Sequence, residues 1–64
     1  MNTIRVTKVG DKLACVIRGP SKRTLLQGFV YTAEDCDRVR PAIRHWLSER
    51  RTNEVIAEMK ALLS

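Results

Sequence analysis

Cys15, Cys36 and His45 are the side chains of this 64-residue sequence best suited to ligate a soft metal or to pair a nucleophile with an imidazole base. Either chemistry needs convergence, and the spacing opposes it. Neither a CxxC nor an HxxxH pattern occurs, and Cys36 and His45 lie nine positions apart. At about 100° per residue, that is half a turn out of phase on one helix. The two thiols therefore read as small core residues and the lone histidine as a solvated one. A Cys–His or Ser–His catalytic pair fails on the same geometry. Glu34, Asp35 and Asp37 form a candidate divalent-cation cluster, but they fall where a helix starts, and carboxylates there interact favourably with the positive end of the helix dipole. Gly10, Gly19 and Gly28 are spaced as turn and strand punctuation, not as a phosphate loop. With little room for a substrate cleft, the chain is expected to have no catalytic residues, no metal and no cofactor.

Binding is the remaining class, and charge gives it direction. Twelve Lys and Arg stand against seven Asp and Glu, a net charge of +5 with His neutral. Residues 1–33 hold Arg5, Lys8, Lys12, Arg18, Lys22 and Arg23 against Asp11 alone, whereas acids and bases cancel over residues 34–64. A one-sided positive field attracts polyanions: nucleic acid, an acidic protein or anionic lipid. For any single Lys or Arg, a solvated face that keeps a thin sheet soluble and its edges unpaired is the plainer role. Collectively, Arg5, Lys12, Arg18, Lys22 and Arg23 are the candidate contact residues.

Elements must gather these side chains. Thr3 to Val9 and Lys12 to Arg18 are runs rich in β-branched and apolar residues, separated by Gly10-Asp11, and a two-residue loop with Gly first suits a type II′ hairpin turn. Setting Val9 opposite Lys12 brings Val6 to Cys15 and Ile4 to Ile17. Ile4, Val6, Leu13, Cys15 and Ile17 then share one face, with Lys8 on that side near the turn. The other face carries Thr3, Arg5, Thr7, Lys12 and Arg18, with Val9, Ala14 and Val16 among them. Gly19-Pro20-Ser21-Lys22-Arg23 is a turn with a basic tip, and Thr24 to Tyr31 is a third strand. Its facing has two solutions: Leu25, Gln27, Phe29 and Tyr31 inward, or Leu26, Gly28 and Val30 inward. Buried area favours the first.

Thr32 precedes Ala33-Glu34-Asp35, so its hydroxyl can accept a hydrogen bond from the Asp35 amide and begin a helix. Cys36, Val39, Ile43, Trp46 and Leu47 recur at three- and four-residue steps, predicting one helix over about 33–50, kinked at Pro41 because the stripe keeps its phase across it. Trp46, at core spacing, anchors this helix on the sheet. Thr52 or Asn53 caps a second, amphipathic helix over about 53–63. On it Val55, Ile56, Met59, Leu62 and Leu63 form one apolar stripe that packs on the domain's own core or, in a homodimer, on a second copy. The expected fold is a single α+β domain spanning residues 1–64, a three-stranded antiparallel sheet (about 3–31) packed by one kinked helix and followed by a short helix: β-β-β-α-α.

With 44% apolar residues, a chain this short buries only roughly 60% of its unfolded surface, so one thin core must suffice. No apolar stretch approaches the ~20 residues that span a bilayer, no export signal is evident, and two unpatterned cysteines suit a reducing compartment. A cytoplasmic location without membrane contact is expected.

The segments Lys12-Leu-Ala-Cys-Val-Ile-Arg18-Gly-Pro, Lys22-Arg23, Gly28-Phe-Val-Tyr-Thr-Ala-Glu-Asp-Cys36 and Trp46-Leu47 together resemble the three-stranded-sheet-plus-helix DNA-binding domains at the N-termini of tyrosine recombinases (arm-binding domains) and in plant AP2 factors. The resemblance covers about residues 10–47. It implies DNA bound across the exposed sheet face, with contacts by Lys12, Arg18 and Arg23. The chain departs from the pattern in having Ala14 and Val16 on the exposed strands, a second helix and no catalytic domain. Shorter stretches resemble other DNA-binding families: Thr7-Lys8-Val9-Gly10 is similar to swapped-hairpin antitoxins, and the last helix to ribbon-helix-helix dimers. Two functions are therefore expected in order. The first is non-enzymatic DNA binding in regulation or recombination. The second is a small phage-type module or inhibitor binding a larger, acidic protein complex, which the apolar Val9, Ala14 and Val16 among the bases would suit.

Overall fold

The computed structural model describes residues 2–64 and contains strands β1 (Thr3–Val9), β2 (Lys12–Arg18) and β3 (Thr24–Val30) and helices α1 (Ala33–Trp46) and α2 (Glu49–Leu63). The strands form one antiparallel sheet in the order β1-β2-β3, giving the α+β, β-β-β-α-α fold. The hairpin has the register that its side-chain alternation requires: Val9 pairs with Lys12, Val6 with Cys15 and Ile4 with Ile17. At the turn Gly10 takes φ +65°, while Asp11 stays out of the left-handed region, as a II′ turn needs. Leu13, Cys15 and Ile17 are buried on the inner face; Ile4 and Val6 are half-buried.

The third strand corrects the expected facing. Leu13 pairs with Val30, Cys15 with Gly28 and Ile17 with Leu26, so Leu26, Gly28 and Val30 look inward. Val30 is 1% exposed, whereas Phe29 is 49% and Tyr31 54% exposed. Area alone would have buried the rings. Register decides instead, because a one-residue slip would break the match with the inner residues of β2. Between Ile17 and Arg18 the pairing shifts, Arg18 lying opposite Thr24, so Leu25 is the extra residue of a bulge. The side chain of Leu25 folds over Gly19, where an added Cβ would stand 3.4 Å from Leu25 Cδ1. The strand ends at Val30, one residue before the expected Tyr31.

Thr32 caps α1 with a reciprocal box. Its hydroxyl accepts from the Asp35 amide at 3.2 Å, and the Asp35 carboxylate accepts from the Thr32 and Tyr31 amides. The helix continues through Pro41, which has no N–H to give the Asp37 carbonyl. It stops earlier than expected, at Trp46. Leu47 is extended and donates its N–H to the Ile43 carbonyl, and Ser48 caps α2 by accepting from the Arg51 amide at 3.1 Å. The boundaries of about 33–50 and 53–63, and the cap at Thr52 or Asn53, are thus corrected to a break at Leu47-Ser48. Thr52 is a buried residue inside α2, its hydroxyl donating to the Ser48 carbonyl.

Helix α1 packs over β3 and α2 over β2, leaving β1 with the least helical cover. Lys60 of α2 meets Asp37 of α1 at 3.0 Å, and the Arg40 guanidinium donates to the Asn53 side chain, tying the helices together. Val55, Ile56 and Met59 join Leu13, Ile17, Val30, Cys36 and Ile43 in one core and are at most 2% exposed. Of the two places open to the α2 stripe, the domain's own core takes most of it. Its first three members cover β2, Leu63 packs partly against the same core, and Leu62 alone is exposed. So small a chain needs its second helix to close its own core. Among the described residues no helix is long and apolar enough to cross a membrane.

Candidate functional site

The face of the sheet turned away from the helices has four rows, fixed by strand register. Thr3, Arg18 and Thr24 form one, followed by Arg5, Val16 and Gln27, then Thr7, Ala14 and Phe29, with Val9 and Lys12 beside the first turn. Alternation in the hairpin thus brings Arg5, Lys12 and Arg18 to one surface, as their sequence positions demanded. Lys22 and Arg23 are exposed in the loop that continues this surface beyond Arg18. Arg5, Arg18 and Lys22, with Thr3, Ile4 and Val16, line a shallow depression of about 610 Å³ at that end.

Charge pairing divides the molecule. Every ion pair among the described residues lies on the helices: Arg38 with Asp35, Arg40 and Lys60 with Asp37, and Arg51 with Glu54 and Glu58. Among the described residues none of Arg5, Lys12, Arg18, Lys22 and Arg23 meets a carboxylate. Helical i, i+3 spacing accounts for three of the pairs on the other side, whereas the sheet face has no acid to offer.

The loop that carries Lys22 and Arg23 is closed by two backbone bonds, Lys22 N–H to the Gly19 carbonyl at 3.0 Å and Gly19 N–H to the Arg23 carbonyl at 2.9 Å. Closing it puts Lys22 at φ +65°, the one non-glycine residue among those described in the left-handed region. Such a site favours Gly or Asn, and a lysine there carries a backbone cost of about 1–2 kcal/mol.

The inverted third strand adds aromatic surface. Phe29 stands in the row of the small residues Thr7 and Ala14, and the Lys12 ammonium lies 4.6 Å from its ring centroid. Tyr31 follows two residues on, with its amide held by the Asp35 carboxylate. Sequence reasoning assigned both rings to the core. Pairing of Gly28 with Cys15 is the signal that would have found them.

The residues first weighed for metal or nucleophile chemistry are placed elsewhere. Cys15 and Cys36 are free thiols in the core. Burial pushes the Cys15 thiol above its ordinary pKa, and the neighbouring Cys36 adds to that; burial likewise raises Cys36, against a smaller opposite pull from Lys60. His45 is exposed, edge-on to Trp46 with centroids 4.7 Å apart. Asp35 is engaged in the α1 cap and Asp37 in ion pairs. Comparison with protein-family models, curated proteins and solved structures gives no match.

Proposed function

We propose that this protein binds DNA without catalysis, across the outer face of its sheet, in a regulatory or recombination role within the cytoplasm. The observation that carries the reading is the unpaired state of Arg5, Lys12, Arg18, Lys22 and Arg23 on one surface, while the helical cations of Arg38, Arg40, Arg51 and Lys60 are matched by acids. Unmatched cations on a sheet can sit in a major groove, with strand and loop cations on phosphates and the side chains between them toward base edges. The resemblance of residues 10–47 to sheet-plus-helix DNA-binding domains points the same way, and the free thiols suit a reducing compartment.

Salt dependence tests it. Five phosphate contacts at about −0.9 each give a slope near −4.5, a loss of roughly 500-fold in affinity between 50 and 200 mM salt. Anisotropy of a labelled random duplex should show that slope, and the double substitution Arg18→Ala/Arg23→Ala should flatten it by about 1.8 with circular dichroism unchanged. Absence of duplex binding at 20 mM salt refutes the proposal.

A second reading, a phage-type module or inhibitor docking on an acidic protein, draws support from Val9, 49% exposed, and Val16 lying among the cations. Aromatic and Arg side chains together are common anchors of protein interfaces. A nuclease-treated pull-down separates the two: a partner retained after digestion favours the module, a partner lost favours DNA.

A further inference from the structure

The outer face is more than a charged layer, because the register that buries Val30 and packs Leu26 on the core leaves an aromatic ring outside. That register turns Phe29 to solvent, 49% exposed, and sets Gly28, itself exposed, on the inner side of the strand. The exposed ring lies beside Ala14 and Thr7, side chains too short to screen it, with Lys12 over it. Tyr31, the first residue past the strand, presents a second exposed ring two positions on. Arg5 and Arg18 occupy successive rows on the same surface, and Lys22 continues it.

We infer that Phe29, with Tyr31 beside it, is a stacking platform for unpaired bases, so that this face takes single-stranded nucleic acid in preference to duplex. The inference rests on the proposed nucleic-acid role of the same face and specifies its substrate. In a duplex the base faces are already stacked on each other, and a ring on a flat sheet can touch only their edges. A single strand offers its faces, and alternate aromatics on a sheet accommodate two or three successive bases while neighbouring cations hold the phosphates. Charge complementarity selects a polyanion, and the half-exposed rings select one with free π faces. Lys12, poised over Phe29, can pass to a phosphate when a base takes its place on the ring.

The test uses the full chain at 100 mM salt with labelled dT20, rU20 and a 20-base-pair duplex, read by anisotropy. The expected result is tighter binding of dT20 than of duplex. Phe29→Leu, which keeps apolar bulk without a π face, should lose about tenfold on dT20 and less than twofold on duplex; Phe29→Trp should retain dT20 binding. Equal loss on rU20 extends the site to RNA, and loss confined to dT20 restricts it to DNA; either supports the platform. Duplex bound at least as tightly as dT20, with Phe29→Leu silent on both, overturns the inference while leaving the DNA reading intact. No binding of any of the three overturns both. Displacement of dT20 by poly-glutamate at equal charge shows that charge alone acts, and also overturns it. Because Phe29 is exposed, thermal melts of the variants should overlay that of the parent and exclude misfolding as the cause.

Discussion

Gly28→Ala should make this protein more stable, and Gly28→Val more stable again. Gly28 stands in the middle of β3, on the inner face, opposite Cys15. A Cβ added there meets no atom within 4 Å, and the backbone is outside the left-handed region, so an L side chain fits without strain. Beside it a groove of about 130 Å³, lined among others by Cys15, Leu26, Val39, Ala42 and Ile43, runs between β3 and α1 and opens at the strand edge. Two effects combine. Replacing glycine restricts the unfolded chain, which contributes about 0.4–1 kcal/mol. The new methyl points into open space beside this groove, so it gains little of the ~0.8 kcal/mol of a fully buried CH₂.

Together these give about 0.5–1 kcal/mol, which in a domain of this size raises Tm by about 2–8 °C. Valine adds two carbons that the groove accepts and a better strand former, and a further gain of roughly 0.5 kcal/mol is expected. Urea unfolding followed at 222 nm measures both, with the slope m unchanged if the denatured state is unaltered. A destabilised Ala variant, or a Val variant that loses what Ala gained, would refute the facing of β3. With Phe29 inward, Gly28 would face the opposite side, and the valine carbons beyond Cβ would have no groove wall to reach.

The remaining tests probe the helices, the loop and the thiols. Ser48→Ala removes the α2 cap and should cost about 1 kcal/mol in urea unfolding, whereas Ser48→Asp should retain most of it. Met59→Ala, at a fully buried position, should cost about 2–5 kcal/mol. A chain of this length commands only about 3–10 kcal/mol in total, so the urea midpoint should fall by a large fraction, while Leu62→Ala stays within about 0.5 kcal/mol. Lys22→Gly relieves the left-handed backbone against a larger unfolded entropy, for a net gain of about 0.5–1 kcal/mol, and under the proposed function reduces the duplex salt slope by about 0.9. Both buried thiols have raised pKa values, so the native state keeps protons that the unfolded chain releases once pH passes the ordinary thiol pKa of about 8.5. Thermal stability should therefore be insensitive to the thiols below that pH and fall as pH climbs from it through the raised native values. A Cys15→Ala/Cys36→Ala variant with an equally steep decline would refute the attribution.

What could be read from the sequence was whatever two independent signals agreed upon. The β1–β2 register follows both from the Gly10-Asp11 turn and from the alternation that puts Leu13, Cys15 and Ile17 inside, so Arg5, Lys12 and Arg18 were assigned to the right face. The start of α1 was equally over-determined by Thr32, Asp35 and the stripe from Cys36. The third strand offered apolar residues on both faces, and its choice was made by partners on β2 and by a bulge at Leu25, neither visible within Thr24–Val30 itself. The break between the helices was obscured because Ser48 and Thr52 are both capable caps, and because Leu47 stays buried in phase with the stripe after the helix has ended. Phe29 was missed as a consequence of the strand, and the backbone of Lys22 because its conformation is imposed by loop closure.

The departures from good folding practice are unevenly placed. On the helical side, both N-termini are capped, Asp35 is engaged in the α1 cap, Arg38, Arg40, Arg51 and Lys60 are paired with acids and most of each apolar stripe is buried, with Leu62 exposed and Arg44 and Arg50 meeting no acid among the described residues. The sheet and its second loop follow other rules: cations without acids, a lysine in a conformation suited to glycine, and an exposed phenyl ring above a glycine that leaves the core open. Each of these lowers stability in a domain with little to spare. Local, packing and charge preferences agree where a sequence is shaped by folding alone, and conflict where something else constrains it. Here the conflicts fall on one surface and the loop that extends it, which is the physical reason to look for a ligand there and not among the thiols, the histidine or the helical acids.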